Sequence, residues 1–319
     1  MTILPSLQQL RFLSAVADLK HFGRAAAQCA VTQSTLSAGI QDLEDRLGVS
    51  LVERTRRHVM LTPLGEEIAA RGRRLLRDAE DLADVARLAR EPLSGPLRLG
   101  VIPTIGPYLM PAVMRDLAAH FPKLKLYLRE EQTAALLEKL ENGQIDLALL
   151  ALPYDVGDLE TMPLGEDRIM VAVPKTHPLA RAKRISRDDL AGEELLLMED
   201  GHCLRSHTLE ACRLAGPDRN EVFQGTSLKT LLQMTAGGIG ITLVPKLALA
   251  AELPPDGSLV AKALSPDEPS RTIALAWRRS SARKAEFRML GECLRKVLGE
   301  AGSGAEPTLR SPRRSASIR

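Results

Sequence analysis

Apolar residues at the start of the chain recur at helical spacing and predict three short helices. The first spans residues 6–18, and an alanine-rich second helix runs from Gly23 to about Cys29. The third begins after Val31, with Thr32 as its N-cap, and ends at Gly48. Two short helices joined by a tight turn, the second with a polar N-terminal half, are typical of a helix-turn-helix.

A basic hairpin is predicted directly after these helices, with two short strands in Leu51–Leu61. A solvated charge run is the ordinary interpretation of its arginines. Their position behind a helix-turn-helix favours contact with DNA phosphates instead. The predicted DNA-contacting residues are Arg24, Thr32, Gln33, Ser34, Thr35 and Ser37 in the helices and Arg54, Arg56 and Arg57 in the hairpin.

A long uninterrupted helix is predicted from Pro63 to about Arg90. Seven of its positions alternate at steps of four and three, which is a heptad seam. The seam predicts a partner helix, most simply the same helix of a second subunit, and packing against the chain's own domains is the alternative. The seam positions are Ile68, Gly72, Leu75, Ala79, Leu82, Ala86 and Ala89.

Strands and helices alternate after residues 91–96, whose proline, glycine and serine are typical of a linker. This alternation predicts an α/β domain of two lobes with mostly parallel sheets, where ligands bind at the carboxyl ends of strands. The predicted strands are Leu97–Ile102, Leu124–Leu128, Ile145–Leu152, Ile169–Val173, Leu195–Met198, Val222–Gln224, Gly240–Pro245 and Thr272–Arg278. The predicted helices are Pro107–Phe121, Thr133–Asn142, Ser227–Ala236 and Ala282–Leu298.

The stretch Leu195–Cys212 contains the residues that look suited to chemistry. Its apolar run and acidic turn predict a strand followed by a helix, with His202 and Cys203 at the helix start. There the unpaired N–H groups and the helix dipole, together with His202 and Arg205, are expected to favour a reactive thiolate.

The spacing of Cys203 and Cys212 restricts how they can pair. Nine residues of helix turn through about 900° and place the two cysteines roughly 13 Å apart along the axis. A disulfide requires Cα atoms within about 7 Å. Bridging them therefore requires the helix to unravel, which would make a redox switch. Spacing alone favours the alternative, that both are ordinary buried cysteines.

Composition narrows the class of protein only a little. The net charge of +3 comes entirely from residues 303–319, which carry four arginines and one glutamate, and we expect this tail to be disordered. No apolar run approaches a membrane span, so we expect a cytoplasmic protein without a membrane partner. The four cysteines show no zinc-binding spacing, and we expect no metal or cofactor. Cys29 and Cys293 are predicted to be core residues.

The whole of residues 6–300 resembles the LysR-type transcriptional regulators. The resemblance rests on FGRAAAQCAVTQSTLSAGIQDLEDRLGVSLVERT near the N-terminus, followed by the long helix and the two-lobed domain. Within that family, the segments IPTIGPYLMP, EEQTAALL, LLMEDGHCLR, GTSLKTL and GITLVP resemble its hydrogen-peroxide sensors. The resemblance implies a winged helix-turn-helix, a linker helix and a two-lobed regulatory domain like a periplasmic binding protein.

The resemblance also implies roles for individual residues. Cys203 would be oxidised by hydrogen peroxide and then form a disulfide with Cys212. The implied peroxide pocket is lined by His202, Thr104 and Thr133. Arg271 resembles an arginine that the family keeps near this pocket, although a surface salt bridge is an equally simple role for it. The family's Gly-His-Cys-Leu-Arg-Asp pattern ends here in Ser206, and His207 replaces a neutral residue. The resemblance therefore does not fix the peroxide concentration at which the switch responds.

Partners and domain limits follow from the same resemblance. The implied partners are promoter DNA, RNA polymerase, a glutaredoxin or thioredoxin, and further copies of the chain in a dimer and a tetramer. We expect domains at 1–62, 63–90 and 97–300, a hinge at 91–96, and a tail at 301–319. Lobe I takes about 97–165 and 270–300, and lobe II about 166–269. A regulator that binds a small organic ligand and a thiol peroxidase are the alternatives, though the N-terminal half argues against an enzyme.

Overall fold

The N-terminal region folds as predicted, in a computed structural model that describes residues 4–54, 59–88, 92–190, 192–211, 223–265 and 268–302. Its elements are α1 (Leu7–Leu19), α2 (Phe22–Gln28), α3 (Gln33–Leu47), β1 (Val52–Arg54) and β2 (Val59–Leu61). The two strands pair antiparallel as a hairpin. The turn of that hairpin, residues 55–58, lies outside the described residues, as do Cys212 and the tail from 303 onward.

Local capping explains where these helices begin and end. Ser6 and Gln9 form a capping box at the start of α1. The hydroxyl of Thr32 accepts a hydrogen bond from the Thr35 backbone N–H at 3.2 Å, which confirms the predicted N-cap of α3. Gly48 closes that helix with φ +69°, a left-handed conformation that favours glycine.

The linker helix α4 (Pro63–Leu88) meets the chain's own helix along part of its predicted seam. A Cβ at Gly72 would lie 3.3 Å from the Leu10 side chain, so a small residue lets α1 pack closely. Leu75 and Leu82 are instead 52% and 75% exposed. The first half of the seam therefore follows the alternative interpretation, while these two leucines leave an apolar surface on the described chain.

The linker helix also contacts the first lobe of the α/β domain. The buried guanidinium of Arg77 donates to the carbonyl of Gly143 and lies 3.1 Å from Asp146 Oδ1. Within the hinge, the Leu93 N–H donates to Glu286 Oε1 at 2.6 Å. Polar contacts thus fix the linker helix and the hinge to the same lobe.

The remaining chain forms two α/β lobes that share one ten-stranded sheet. Its strands are β3 (Gly95–Val101), β4 (Leu124–Glu130), β5 (Leu147–Leu152), β6 (Leu159–Pro174), β7 (Ile185–Ser186), β8 (Leu195–Met198), β9 (Phe223–Gly225), β10 (Ile241–Pro245), β11 (Leu259–Ser265) and β12 (Ser270–Arg278). Its helices are α5 (Gly106–His120), α6 (Thr133–Glu141), α7 (Cys203–Ala211), α8 (Leu228–Ala236), α9 (Leu249–Glu252) and α10 (Lys284–Gly302). Three 3₁₀ turns, at Pro178–Arg181, Asp188–Leu190 and Lys246–Ala248, complete the described elements.

The long strand β6 joins the two lobes and corrects the prediction of a strand at Ile169–Val173. Its first part, as far as Arg168, pairs antiparallel with β12 in lobe I. From Ile169 it pairs antiparallel with β10 and β11 in lobe II. The sheets are therefore mixed, because parallel strands flank a central antiparallel group, whereas the alternation of strands and helices predicts mostly parallel pairing.

Each lobe has its own apolar core. Trp277 and Phe287 pack in the lobe I core with ring centroids 5.7 Å apart. Cys29 and Cys293 are half-buried at the edges of cores, so their prediction as core residues is only partly right. Within the described residues, no helix is long and apolar enough to cross a membrane.

Candidate functional site between the lobes

Two threonines come from the carboxyl edge of the lobe I sheet. Strands β3 and β4 are parallel neighbours, so their carboxyl ends lie side by side. Thr104 lies in the turn between β3 and α5, and Thr133 is the first residue of α6, after β4. Both side chains are buried, and the Thr133 hydroxyl has no hydrogen-bond partner among the described residues.

The cysteine comes from the carboxyl edge of the lobe II sheet. Strand β8 ends at Met198, a short turn follows, and α7 begins at Cys203 as predicted. Gly201 in this turn has φ +93°, and a Cβ there would lie 2.5 Å from Gln132 Oε1. Glycine is therefore favoured at this position by the backbone conformation, whereas the Gln132 amide is the end of a flexible side chain that can shift.

The two edges face each other across a small cavity. Its non-atom volume is about 170 Å³, and it has no room for a water-sized sphere. Even a molecule with only two non-hydrogen atoms therefore needs some side-chain movement to enter. The cavity is lined by Ile102, Pro103, Thr104, Gln132, Thr133, His202, Cys203 and Leu204, which brings together four of the predicted site residues.

Cys203 is held between the two lobes. Its free thiol side chain is only 3% exposed and packs with the apolar core of lobe I. The next residue, Leu204, packs into the core of lobe II. The first turn of α7 is thus fixed on both sides, and any rearrangement of the helix must withdraw Cys203 from lobe I. Cys212 lies outside the described residues, so its pairing with Cys203 stays a prediction.

The electrostatics at Cys203 differ from the expectation of two nearby positive charges. Burial lowers the pKa of His202, which Glu199, 3.8 Å away, opposes only in part, so the neutral imidazole is favoured. The guanidinium of Arg205 is paired with Asp200 at 2.9 Å and donates to the Met198 carbonyl at 3.3 Å. The N-terminus of α7 remains as the source of positive potential at the thiol.

Arg271 fixes Thr104 in place. Its side chain is fully buried, so the alternative of a surface salt bridge is wrong. Its guanidinium donates to Thr104 Oγ1 at 2.7 Å and to the Thr104 carbonyl at 2.9 Å. It also pairs with the buried Asp167, through hydrogen bonds of 3.1 and 2.9 Å. Asp167 in turn accepts from the Leu247 N–H at 2.9 Å.

Two residues of this site are not predicted from the sequence. Asp167 is the partner of Arg271 across the β6–β12 register. Its signal is an acidic residue shortly before the apolar run that begins at Ile169. Gln132 lines the cavity and donates to Glu199 at 3.4 Å, across the two lobes. Nothing in the spacing of Gln132 and Glu199 indicates that they meet.

Ser206 and His207, the two residues that depart from the family pattern, lie in different environments. Ser206 is exposed, and Arg205 takes its carboxylate partner from Asp200. The side chain of His207 is buried, with its Nε2 2.8 Å from the carbonyl oxygen of Pro153 in lobe I. The histidine is therefore a contact between the lobes, whereas the serine is not.

The predicted DNA-contacting residues on the helices are at the surface. Arg24, Thr32, Gln33, Ser34 and Thr35 are exposed, and Ser37 is half-buried. Four of these side chains crowd the first turn of α3, a helix N-terminus where backbone N–H groups can also meet phosphates. Arg56 and Arg57 lie outside the described residues, and nothing is described of the Arg54 side chain.

Two family patterns together match most of the chain. The pattern of the bacterial regulatory helix-turn-helix protein, lysR family, matches residues 7–66. The pattern of the LysR substrate binding domain matches residues 90–299. The chain therefore belongs to the LysR family of transcriptional regulators, which confirms both the predicted family and the predicted fold class.

The relatives within this family include peroxide regulators. The chain is 42% identical over 290 residues to the DNA-binding transcriptional dual regulator OxyR of Escherichia coli K12, covering 91% of this chain and 95% of the relative. It is 40% identical over 298 residues to the HTH-type transcriptional regulator EstR of Acinetobacter baylyi, covering 93% and 98%.

Solved structures show the same similarity. A full-length OxyR variant from Pseudomonas aeruginosa, in which an aspartate replaces a cysteine, superposes with a TM-score of 0.80 at 36% identity, over 92% of this chain and 95% of that one. A hydrogen-peroxide-bound cysteine-to-serine OxyR mutant of Corynebacterium glutamicum gives a TM-score of 0.65 at 33% identity, with 100% of both chains covered. The resemblance to peroxide sensors is confirmed at the level of the whole chain.

Proposed function

We propose that this chain is a transcriptional activator of the oxidative-stress response that senses hydrogen peroxide through oxidation of Cys203. The observation that carries the proposal is the buried hydroxyl of Thr133, which has no hydrogen-bond partner in the described part of the chain and lies in the same small cavity as the thiol. A buried hydroxyl without a partner is costly and is satisfied when a small polar molecule binds. Hydrogen peroxide can both donate to and accept from such a group.

The size of the cavity favours peroxide over the alternative of a small organic ligand. Pockets for organic ligands usually measure roughly 300–1,000 Å³, whereas this one has no room for a water-sized sphere and would need only a small movement to admit a molecule of two non-hydrogen atoms. The space between the lobes is further closed by the Tyr108 hydroxyl, which donates to Glu252 at 3.1 Å. A ligand that shifts promoter affinity in the Cys203→Ser/Cys212→Ser double variant would support the alternative.

The proposed chemistry balances in two steps. The Cys203 thiolate attacks one oxygen of hydrogen peroxide, the O–O bond breaks, and hydroxide leaves as water after protonation. Cys203 is then a sulfenic acid. The Cys212 thiolate attacks its sulfur, the S–O bond breaks, a second water leaves, and a disulfide forms. A glutaredoxin or thioredoxin would reduce this disulfide in the cytoplasm, where disulfides are otherwise rare.

Each proposed site residue has a role in the first step. Thr104, held in place by Arg271, would orient the peroxide by donating a hydrogen bond from its hydroxyl, and Thr133 would hold the second oxygen of the peroxide. His202, favoured as the neutral imidazole, can donate a hydrogen bond to the leaving oxygen. Cys203 is the first residue of α7, so backbone N–H groups of the helix N-terminus would lie close to its reacting sulfur.

Oxidation of Cys203 would change how the N-terminal half of the chain binds DNA. We assign residues 1–62 to the DNA-binding domain, 63–90 to the dimerising linker, 91–96 to the hinge and 97–300 to the regulatory domain. Lobe I would comprise about 97–165 and 270–300, and lobe II about 166–269. Leu75 and Leu82, exposed on α4, suit a linker-helix dimer, and regulatory domains would pair such dimers into a tetramer. Promoter DNA and RNA polymerase are the proposed targets.

Peptide mapping under non-reducing conditions tests the switch. Purified full-length protein is mapped before and after a stoichiometric pulse of hydrogen peroxide. We expect a Cys203–Cys212 linkage to appear after the pulse. Cys203→Ser should abolish the response of a reporter gene, and Cys293→Ser, which changes a half-buried cysteine of α10, is the matched control. A reporter response that survives Cys203→Ser would contradict the proposal.

A second experiment tests the DNA interface. Gln33→Ala removes an exposed side chain from the first turn of α3, whereas Gln41→Ala removes an exposed one farther along the same helix. We expect only Gln33→Ala to weaken binding to the operator, by roughly 1–3 kcal/mol if it contacts a base edge. Equal binding by both variants would remove Gln33 from the interface.

The proposal also distinguishes a regulator from a thiol peroxidase. A sensor is oxidised once and then signals, so peroxide consumption should stop near one equivalent per chain unless a reductant is added. We expect slow turnover even with thioredoxin, because disulfide formation requires α7 to rearrange. Rapid multiple turnover in that assay would favour the enzyme.

A further inference from the structure

We propose that His207 is a positioning residue that holds α7 against lobe I and thereby sets the rate at which Cys212 resolves the oxidised Cys203. This inference rests on the proposed function and goes beyond it, because it assigns the control of the second step to a residue outside the cavity.

The contact that carries the inference joins the two lobes. His207 lies on α7, which follows β8 of lobe II, and its Nε2 is 2.8 Å from the carbonyl oxygen of Pro153. Pro153 comes directly after β5 of lobe I. A carbonyl oxygen can only accept, so Nε2 carries the proton and donates it. The side chain is buried, so this hydrogen bond is sheltered from water.

The position of His207 on α7 explains how it can restrain the helix. His207 is four residues after Cys203, so both side chains lie on the same face of α7. Cys203 packs into the lobe I core and His207 bonds to the lobe I chain one turn later. The intervening Ser206 is exposed. One face of α7 therefore contacts lobe I at two successive turns, through Cys203 and His207.

Disulfide formation requires the contacts of α7 with lobe I to break. In a continuous helix the two cysteines would be roughly 13 Å apart along the axis, whereas a disulfide requires Cα atoms within about 7 Å. The part of α7 that contains His207 lies between them and must unravel. The hydrogen bond to Pro153 is thus present before the rearrangement and broken during it.

The first chemical step should not depend on this bond. His207 does not line the cavity where Cys203 meets peroxide. Removing the hydrogen bond is therefore expected to leave the formation of sulfenic acid unchanged and to accelerate the following rearrangement. A net hydrogen bond of ordinary strength corresponds to an acceleration of about threefold to tenfold.

A time-resolved trapping experiment on the full-length protein separates the two steps. After a stoichiometric pulse of hydrogen peroxide, sulfenic acid is trapped with dimedone and free thiols with N-ethylmaleimide, and peptides are quantified by mass spectrometry. His207→Phe keeps a ring but removes the donor. His207→Gln restores a donor of similar reach, and Ser206→Ala is the matched control on the exposed face.

We expect His207→Phe to form sulfenic acid at the wild-type rate and the disulfide about threefold to tenfold faster. His207→Gln should return the disulfide rate to within about twofold of wild type, and Ser206→Ala should leave it unchanged. Thermal unfolding checks that each variant is folded. Should His207→Phe not fold, His207→Asn makes the same comparison, because its shorter amide falls short of the Pro153 oxygen.

The failure of this inference differs from the failure of the proposed function. Wild-type protein that forms neither sulfenic acid nor disulfide would overturn the proposed function. Normal oxidation of wild type with an unchanged disulfide rate in His207→Phe would overturn the role of His207. An equal acceleration in His207→Gln would also overturn it, since the donor would then be irrelevant.

Discussion

The ion pair between Arg271 and Asp167 makes a prediction that separates stability from reactivity. Both side chains are buried, with 0% and 2% of their surface exposed. Arg271→Met leaves the carboxylate of Asp167 buried without its partner. Removing one member of a buried ion pair costs about 3–5 kcal/mol of the free energy of unfolding, because an uncompensated charge remains.

The double variant Arg271→Met/Asp167→Asn removes both charges at once. The asparagine oxygen can still accept the Leu247 N–H that Asp167 accepts at 2.9 Å. We therefore expect the double variant to recover to within about 2 kcal/mol of wild type. Reactivity should not recover, because Thr104 has lost both hydrogen bonds from Arg271, whose donors lie 2.7 and 2.9 Å away.

Urea unfolding and dimedone trapping at Cys203 measure these two effects in the same preparations. The expected pattern is an unstable and unreactive single variant beside a stable and unreactive double variant. A double variant as unstable as Arg271→Met would refute the assignment of the loss to an unpaired charge. A double variant that is oxidised at the wild-type rate would refute the role of Arg271 in positioning Thr104.

Three further predictions follow from other contacts. Gly201→Ala should destabilise the protein by about 1 kcal/mol or more in urea unfolding, because φ is +93° and alanine is strained there; unchanged stability would argue against this turn. Burial lowers the pKa of His202, so the folded protein binds fewer protons there than the unfolded chain as the pH falls below about 6.5, and the free energy of unfolding should drop with it. His202→Gln should reduce that drop between about pH 7 and about pH 5.5, and an unaltered pH profile would contradict the shift. Arg77→Met should release α4 from Gly143 and Asp146 and speed proteolysis near residues 91–96 without changing the oxidation of Cys203; equal cleavage rates would show that the contact does not restrain the hinge.

Much of the architecture is predictable because it depends on local patterns. The capping residue Thr32 and the terminal Gly48 mark α3 correctly, since both act on the backbone of their own helix. The start of α7 at Cys203 is likewise set by the apolar run and the turn immediately before it. The resemblance then supplied the site residues, of which four lie around one cavity.

Other features depend on contacts between distant segments and leave little trace in the sequence. The continuation of β6 back to Leu159 is not predicted, because its first half contains charged residues and a proline and is only partly buried, and its pairing with β12 depends on a segment about 100 residues away. The sequence allows Arg271 to be either a residue near the pocket or part of a surface salt bridge. Burial of an arginine depends on its partner, and here the partner, Asp167, is 104 residues away. The contact between His207 and Pro153 spans 54 residues and has no periodic signature.

Strand β6 has a consequence for how a signal can travel through the molecule. It is one strand of 16 residues, with a register shift at Leu164, and it pairs with β12 in lobe I and with β10 and β11 in lobe II. Any change in the angle between the lobes would have to bend this strand where the lobe I and lobe II parts of the sheet meet. A rearrangement of α7 alone requires no such bend. We therefore expect the two lobes to keep their relative position if Cys203 is oxidised, with the change of shape confined to the region of α7.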